Sequence, residues 1–166
     1  MSDYETVEKT LQKWLKNAEK IVVVGIGNEL RRDDFVGVKV VRGLKGKTPK
    51  NVMVVESETV PESFIETIVK FNPSHIILID AGLLGLRPGE MKFLESTGAL
   101  GPPTAAISTH ALPLRVFCDY LERTINTKIS LLIVQPKGTD FGEGLSSEVE
   151  KTAEKLKTTL LEILIV

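Results

Sequence analysis

With 166 residues, 42% of them hydrophobic and 26% charged, the chain has enough apolar material for one core and too little for two, so a single domain over residues 1–166 is expected. A formal net charge of −1, with no basic stripe, gives no electrostatic reason to bind nucleic acid or an anionic membrane. No apolar run approaches the roughly 20 residues of a membrane span and the N-terminus is charged throughout, so a cytoplasmic location is expected; the one cysteine, Cys118, excludes an internal disulfide and any multi-cysteine zinc site.

The chain opens with an amphipathic helix. Ser2 and Glu5 have capping-box spacing, and Tyr4, Val7, Leu11, Trp14 and Leu15 share a face that should cover a sheet edge or face. Ile21–Val24 is a β-branched run suited to a buried parallel strand ending near Gly25. Gly25 and Gly27 then permit a turn, and Val36, Val40, Val41 and Leu44 follow the pair Asp33-Asp34 at helical spacing. Asn51–Glu56 is a second strand, Pro61 starts a third helix that ends before Asn72-Pro73, and residues 75–80, HIILID, form a third strand ending on Asp80. Right-handed crossovers make these strands parallel neighbours in one sheet, an α/β architecture.

The second half is less regular. A loop from Ala81 to Gly89 leads to a short alternating strand, Glu90–Glu95, and Ser96–Thr109 is a long connection of the kind that usually serves function. Pro113 starts a fourth helix running to about Tyr120, Thr127–Val134 is the last strand, and Ser146 introduces a long final helix. The loop between them, Gln135–Gly144, leaves the last strand on the side where α/β sheets bind ligands.

Chemistry-bearing residues gather at that same edge. Asp34 follows the first strand, Asp80 ends the third and His110 closes the long loop; two carboxylates and an imidazole suit zinc, nickel or a similar borderline cation. Each has a structural alternative, since Asp34 can cap helix two and a lone histidine can be a packing residue. Asp33 is either a cap of the same helix or a proton acceptor, the cap being the simpler reading. GIGNEL also invites comparison with the dinucleotide fingerprint, but its third glycine would fall on Leu30 and the acidic pair would repel pyrophosphate. Cys118, among Leu114, Val116 and Phe117, reads as a packing residue and not as a nucleophile.

GIGNELRRDDFVG resembles the N-terminal signature of the [NiFe]-hydrogenase maturation endopeptidases, with supporting segments LIDA around Asp80 and STHALPL around His110. The TVPES segment and the QPKGTDFG loop look most like the branch serving energy-converting or formate-linked hydrogenases. The resemblance implies a three-layer α/β/α sandwich with a five-stranded, mostly parallel mixed sheet. It also implies cleavage of a C-terminal extension from the hydrogenase large-subunit precursor once nickel is in place, by a protein expected to act as a monomer. The family's metal-binding positions fall on Asp34, Asp80 and His110, the cofactor being nickel, whether resident or the substrate's own. Glu56 stands where the family has an acidic residue followed by glycine, but Ser57 replaces that glycine, which bears on the shape of the wall and on a catalytic role for Glu56. Metal-assisted amide hydrolysis is the expected chemistry. A metal-sensing chaperone that does not cut, and a nucleotide-binding α/β module, are the alternatives.

Overall fold

The computed structural model describes residues 3–58, 61–96 and 111–165. The capping serine Ser2, the start of the TVPES segment at 59–60, most of the long connection and His110 lie outside these residues. In chain order the elements are α1 (Asp3–Trp14), β1 (Ile21–Ile26), a 3-10 turn (Arg32–Phe35), α2 (Val36–Arg42), β2 (Val52–Glu58) and a second 3-10 turn (Pro61–Phe64). They are followed by α3 (Ile65–Phe71), β3 (His75–Ala81), β4 (Met91–Glu95), α4 (Ala111–Thr124), β5 (Lys128–Val134) and α5 (Ser147–Ile163).

The five strands form one sheet in the order β2-β1-β3-β5-β4. The first four are parallel, and β4 returns antiparallel along β5 with Met91 opposite Val134. Every residue of β1 and β3 is buried, as strands covered on both faces require. Successive side chains therefore feed opposite cores. Val23, Ile77, Ile79, Leu132 and Val134 pack with α1, α2 and α5, while Val22, Val24, Ile76, Leu78, Ile129 and Leu131 pack with α3 and α4. This is the expected three-layer sandwich, and each fully buried Val, Leu or Ile contributes about 1.5–3 kcal/mol to it.

Local boundaries follow local chemistry. Asn72 ends α3 in the left-handed conformation with φ 55°, its N–H donating to Ile68 O, and Ser146 caps α5 by accepting from Val149 N. Helix α4 begins at Ala111, two residues before the expected proline start, and runs to Thr124. Trp14, on the inner face of α1, meets Phe93 of β4 edge to face at 5.7 Å, so α1 covers the antiparallel edge of the sheet.

The β1–α2 unit is packed more tightly than a turn alone would need. Gly25 is a strand residue, not part of a turn, and β1 continues to Ile26. A Cβ on Gly37 would lie 2.0 Å from Ile79 O and 2.5 Å from Ile26 O, so the first turn of α2 rests directly on the ends of β1 and β3. Gly27, at φ 152°, lets the chain fold back so closely that a Cβ there would lie 1.9 Å from Asp34 O. Together these contacts press the acidic turn onto the carboxyl edge of the sheet.

Candidate active site

Asp33 and Asp34 sit side by side in the 3-10 turn, both buried, and do different work. Asp34 turns its carboxylate back toward β1, where Oδ2 accepts from Asn28 N at 2.9 Å. The turn has no side-chain cap, so neither aspartate caps a helix, which corrects the capping readings for both. Asp33 reaches the other way. Its Oδ1 accepts from Ser146 N at 2.7 Å, and its Oδ2 accepts from Lys137 N at 2.8 Å, Gly138 N at 3.3 Å and Ser146 Oγ at 2.9 Å. A buried carboxylate with four donors is fully engaged, and its role is to tie the β5–α5 loop to the turn that carries Asp34.

Asp80, completely buried, is the next residue after the Ile79 carbonyl on which Gly37 rests, and its Oδ1 accepts from Ala81 N at 2.8 Å. Asp34, one helical turn before Gly37, and Asp80 are thus brought to neighbouring strand ends. Among the described residues no cluster of three metal-ligating side chains occurs, and His110 lies outside them. Helix α4 leads into parallel β5 after three residues, so its start at Ala111 lies at the carboxyl edge. The donor chemistry of the described residues suits a borderline divalent cation: two carboxylates, each oriented by a backbone amide.

Glu56 lies on β2, and Gly25 of β1 pairs with it in register. Its carboxylate is held by Lys45 and by Arg42 Nε at 2.8 Å, and Arg42 also grips Glu29 on the glycine-asparagine loop at 2.9 Å. Burial works to raise the Glu56 pKa, but the hydrogen bonds from Lys45 and Arg42 outweigh it and hold the carboxyl below its ordinary value. Arg42 further stacks over Phe35, 5.1 Å from the ring centroid. Burial pushes the Cys118 thiol up to about 12, which removes it as a thiolate nucleophile.

Sequence reasoning missed the braces supplied by the β5–α5 loop. Besides the bonds to Asp33, Gln135 Oε1 accepts from Leu84 N at 2.7 Å and fixes the loop that follows Asp80. Arg32, at φ 46°, holds a left-handed conformation rare for a non-glycine residue, and its N–H donates to Gly142 O at 3.0 Å. Strain of this kind, over-determined by neighbours, is common beside functional groups. No local signal marks these residues, because their partners lie 51 to 113 positions away in sequence.

The profile of the HycI hydrogenase maturation protease family matches residues 38–163. The chain belongs to the hydrogenase maturation protease family. Asp80 and His110 fall inside the matched region and Asp34 just before it. Among curated relatives, a Methanocaldococcus jannaschii protein provisionally named a hydrogenase maturation protease is 38% identical over 158 residues, covering 90% of this chain and 91% of its own. The Hydrogenase 3 maturation protease of Escherichia coli is 24% identical, with 80% and 83% covered. Among solved structures, the [NiFe] hydrogenase maturation protease HycI from Thermococcus kodakarensis superposes with a TM-score of 0.84 at 33% identity, over 93% of this chain and 98% of that one. The E. coli hydrogenase maturating endopeptidase HybD gives 0.75 at 27% identity, over 88% and 92%. At the glycine loop, Asp34 already takes the Asn28 amide, so that donor is not free for a phosphate.

Proposed function

We propose that the protein is an endopeptidase that removes the C-terminal extension of a [NiFe]-hydrogenase large-subunit precursor after nickel insertion, working as a cytoplasmic monomer. The observation that carries this reading is the pair Asp34 and Asp80, buried and amide-oriented beside the ends of adjacent strands in a chain of this family.

On this reading Asp34 and Asp80 supply oxygen donors and His110 a nitrogen donor, either to a resident ion or to the nickel that the precursor carries. A divalent cation held there would polarise the scissile carbonyl and acidify water, so no covalent intermediate on the enzyme is required. The chain's own residues set the geometry. Asn28 N and Ala81 N fix the two carboxylates, Gly27 and Gly37 set their depth, and Asp33 locks the turn. Glu56, ion-paired to Arg42 and Lys45, is best suited to a charged wall that keeps β2 and the glycine loop in place, and poorly suited to accept a proton.

The test is to incubate the protein with nickel-loaded and nickel-free large-subunit precursor and weigh the products. Loss of a C-terminal peptide from the loaded precursor alone is the expected result. Binding of the loaded precursor without any cleavage would instead make the protein a metal-sensing chaperone.

A further inference from the structure

Most exposed side chains on the loops at the carboxyl edge are polar or charged, but three large apolar ones stand out. Leu30 on the β1–α2 connection is 55% exposed, Leu83 on the loop after β3 is 66% exposed, and Phe141 on the β5–α5 loop is 78% exposed. Each belongs to a different loop, and all three loops leave the carboxyl ends of parallel strands. Leu30 lies four residues before Asp34, and Leu83 three after Asp80. Single exposed apolar residues are ordinary, whereas three on loops that leave the same edge of one sheet, beside the buried carboxylates, indicate a recognition surface.

These side chains are presented on braced backbone. Gly142 N donates to Leu30 O at 2.9 Å, joining the Phe141 and Leu30 loops, and Arg31 Nε donates to Thr139 O at 3.1 Å. The Arg31 guanidinium also lies 5.5 Å from the centroid of the Phe141 ring and supports that face. Leu83 is carried between Gly82, whose N–H donates to Val134 O, and Leu84, whose N–H donates to Gln135. Apolar groups fixed in this way lose little conformational entropy when a partner covers them. The joined loops carry charges of both signs, Arg31 and Arg32 on one and Asp140 and Glu143 on the other, so their net charge is small and discrimination falls to the apolar side chains.

We propose that Leu30, Leu83 and Phe141 form a substrate-docking rim that seats an extended, apolar-bearing segment of the protein substrate over the candidate carboxylates. The assignment rests on the peptidase reading above. Three such side chains offer on the order of 400 Å², well under the ~800 Å² per partner of a stable pair of globular subunits. That area suits a short extended segment and not a second copy of the chain.

The experiment measures binding of a nickel-loaded large-subunit precursor by calorimetry, and its cleavage in parallel. The proteins compared are the wild type, L30S/F141S, L83S, the conservative F141L, and Y120S/I165S as an equally exposed control far from the rim. L30S/F141S should weaken binding about tenfold or more and raise KM correspondingly with kcat within about twofold, and L83S should act in the same direction. F141L and the control should match the wild type. Wild-type affinity in a natively folded L30S/F141S, or equal weakening in Y120S/I165S, would overturn the rim. A wild type that binds through the rim without cutting would overturn the peptidase reading and leave the rim standing.

Discussion

The two ends of the parallel strands bury polar groups by opposite means. At the amino ends, His75 is 5% exposed, its Nδ1 lies 2.8 Å from Ser74 Oγ, and its ring meets Trp14 edge to face at 4.7 Å. Burial, seconded by Lys128, pushes its pKa down despite a hydrogen bond to the Trp14 backbone, so the group is held neutral. At the carboxyl ends, Asp33, Asp34 and Asp80 are as deeply buried but are met by backbone amides. One end is a neutral plug, and the other holds carboxylates fixed by backbone amides. The two ends thus differ in how they hold buried polar groups, in a sheet whose middle looks the same from either end.

Four measurements would break or sharpen this contrast. The largest effect is expected for D34A and D80A, each of which should lower precursor cleavage on the order of 10³-fold while far-UV circular dichroism stays native. Retention of wild-type rates by either would remove that carboxylate from the site. Next comes D33A, which leaves the amides of Lys137, Gly138 and Ser146 without their acceptor and should cost about 2–4 kcal/mol. Calorimetry should show a Tm lower by several degrees, and an unchanged Tm would mean that the carboxylate's burial cost cancels its bonds. Cys118, buried between α4 and the sheet and away from either end, supplies the neutral comparison. C118A should lose about 1 kcal/mol and keep its activity, and inactivation with a native fold would restore a thiol mechanism.

The smallest effect is a pH dependence that separates the ends. A buried imidazole with a lowered pKa binds fewer protons folded than unfolded, so its stability contribution is complete above the unfolded value of 6.5 and is lost as pH falls toward the folded pKa. Glu56, also lowered, keeps its contribution until pH drops below 4.5 and loses it through its folded pKa. Denaturant titrations should therefore show a first decline beginning near pH 6.5 that H75F abolishes, and a second below 4.5 that it leaves alone. A first decline that survives in H75F would assign it to another group.

The strands were legible because a chain buried on both faces has to write continuous apolar runs, as IVVV and HIILI do. The final helix was legible for a similar reason, since Ser146 and the spacing of Val149, Ala153, Leu156 and Leu160 announce both its start and its buried face. Gly25 was misread because close helix approach and a turn call for the same residue, and only the packing of Gly37 distinguishes them. The acidic pair was visible, yet its division of labour was not. Asp33 and Asp34 are chemically identical neighbours, and what separates them is a loop 104 to 113 residues further along.

That separation has a consequence for how the enzyme comes into being. Asp34 and Asp80 are synthesised well before residues 137–146, and the turn bearing Asp34 is not locked until Lys137, Gly138 and Ser146 have emerged and folded back onto Asp33. A nascent chain on the ribosome thus carries the acidic side chains without a finished site. The turn bearing Asp34 waits for a segment made more than a hundred residues after it.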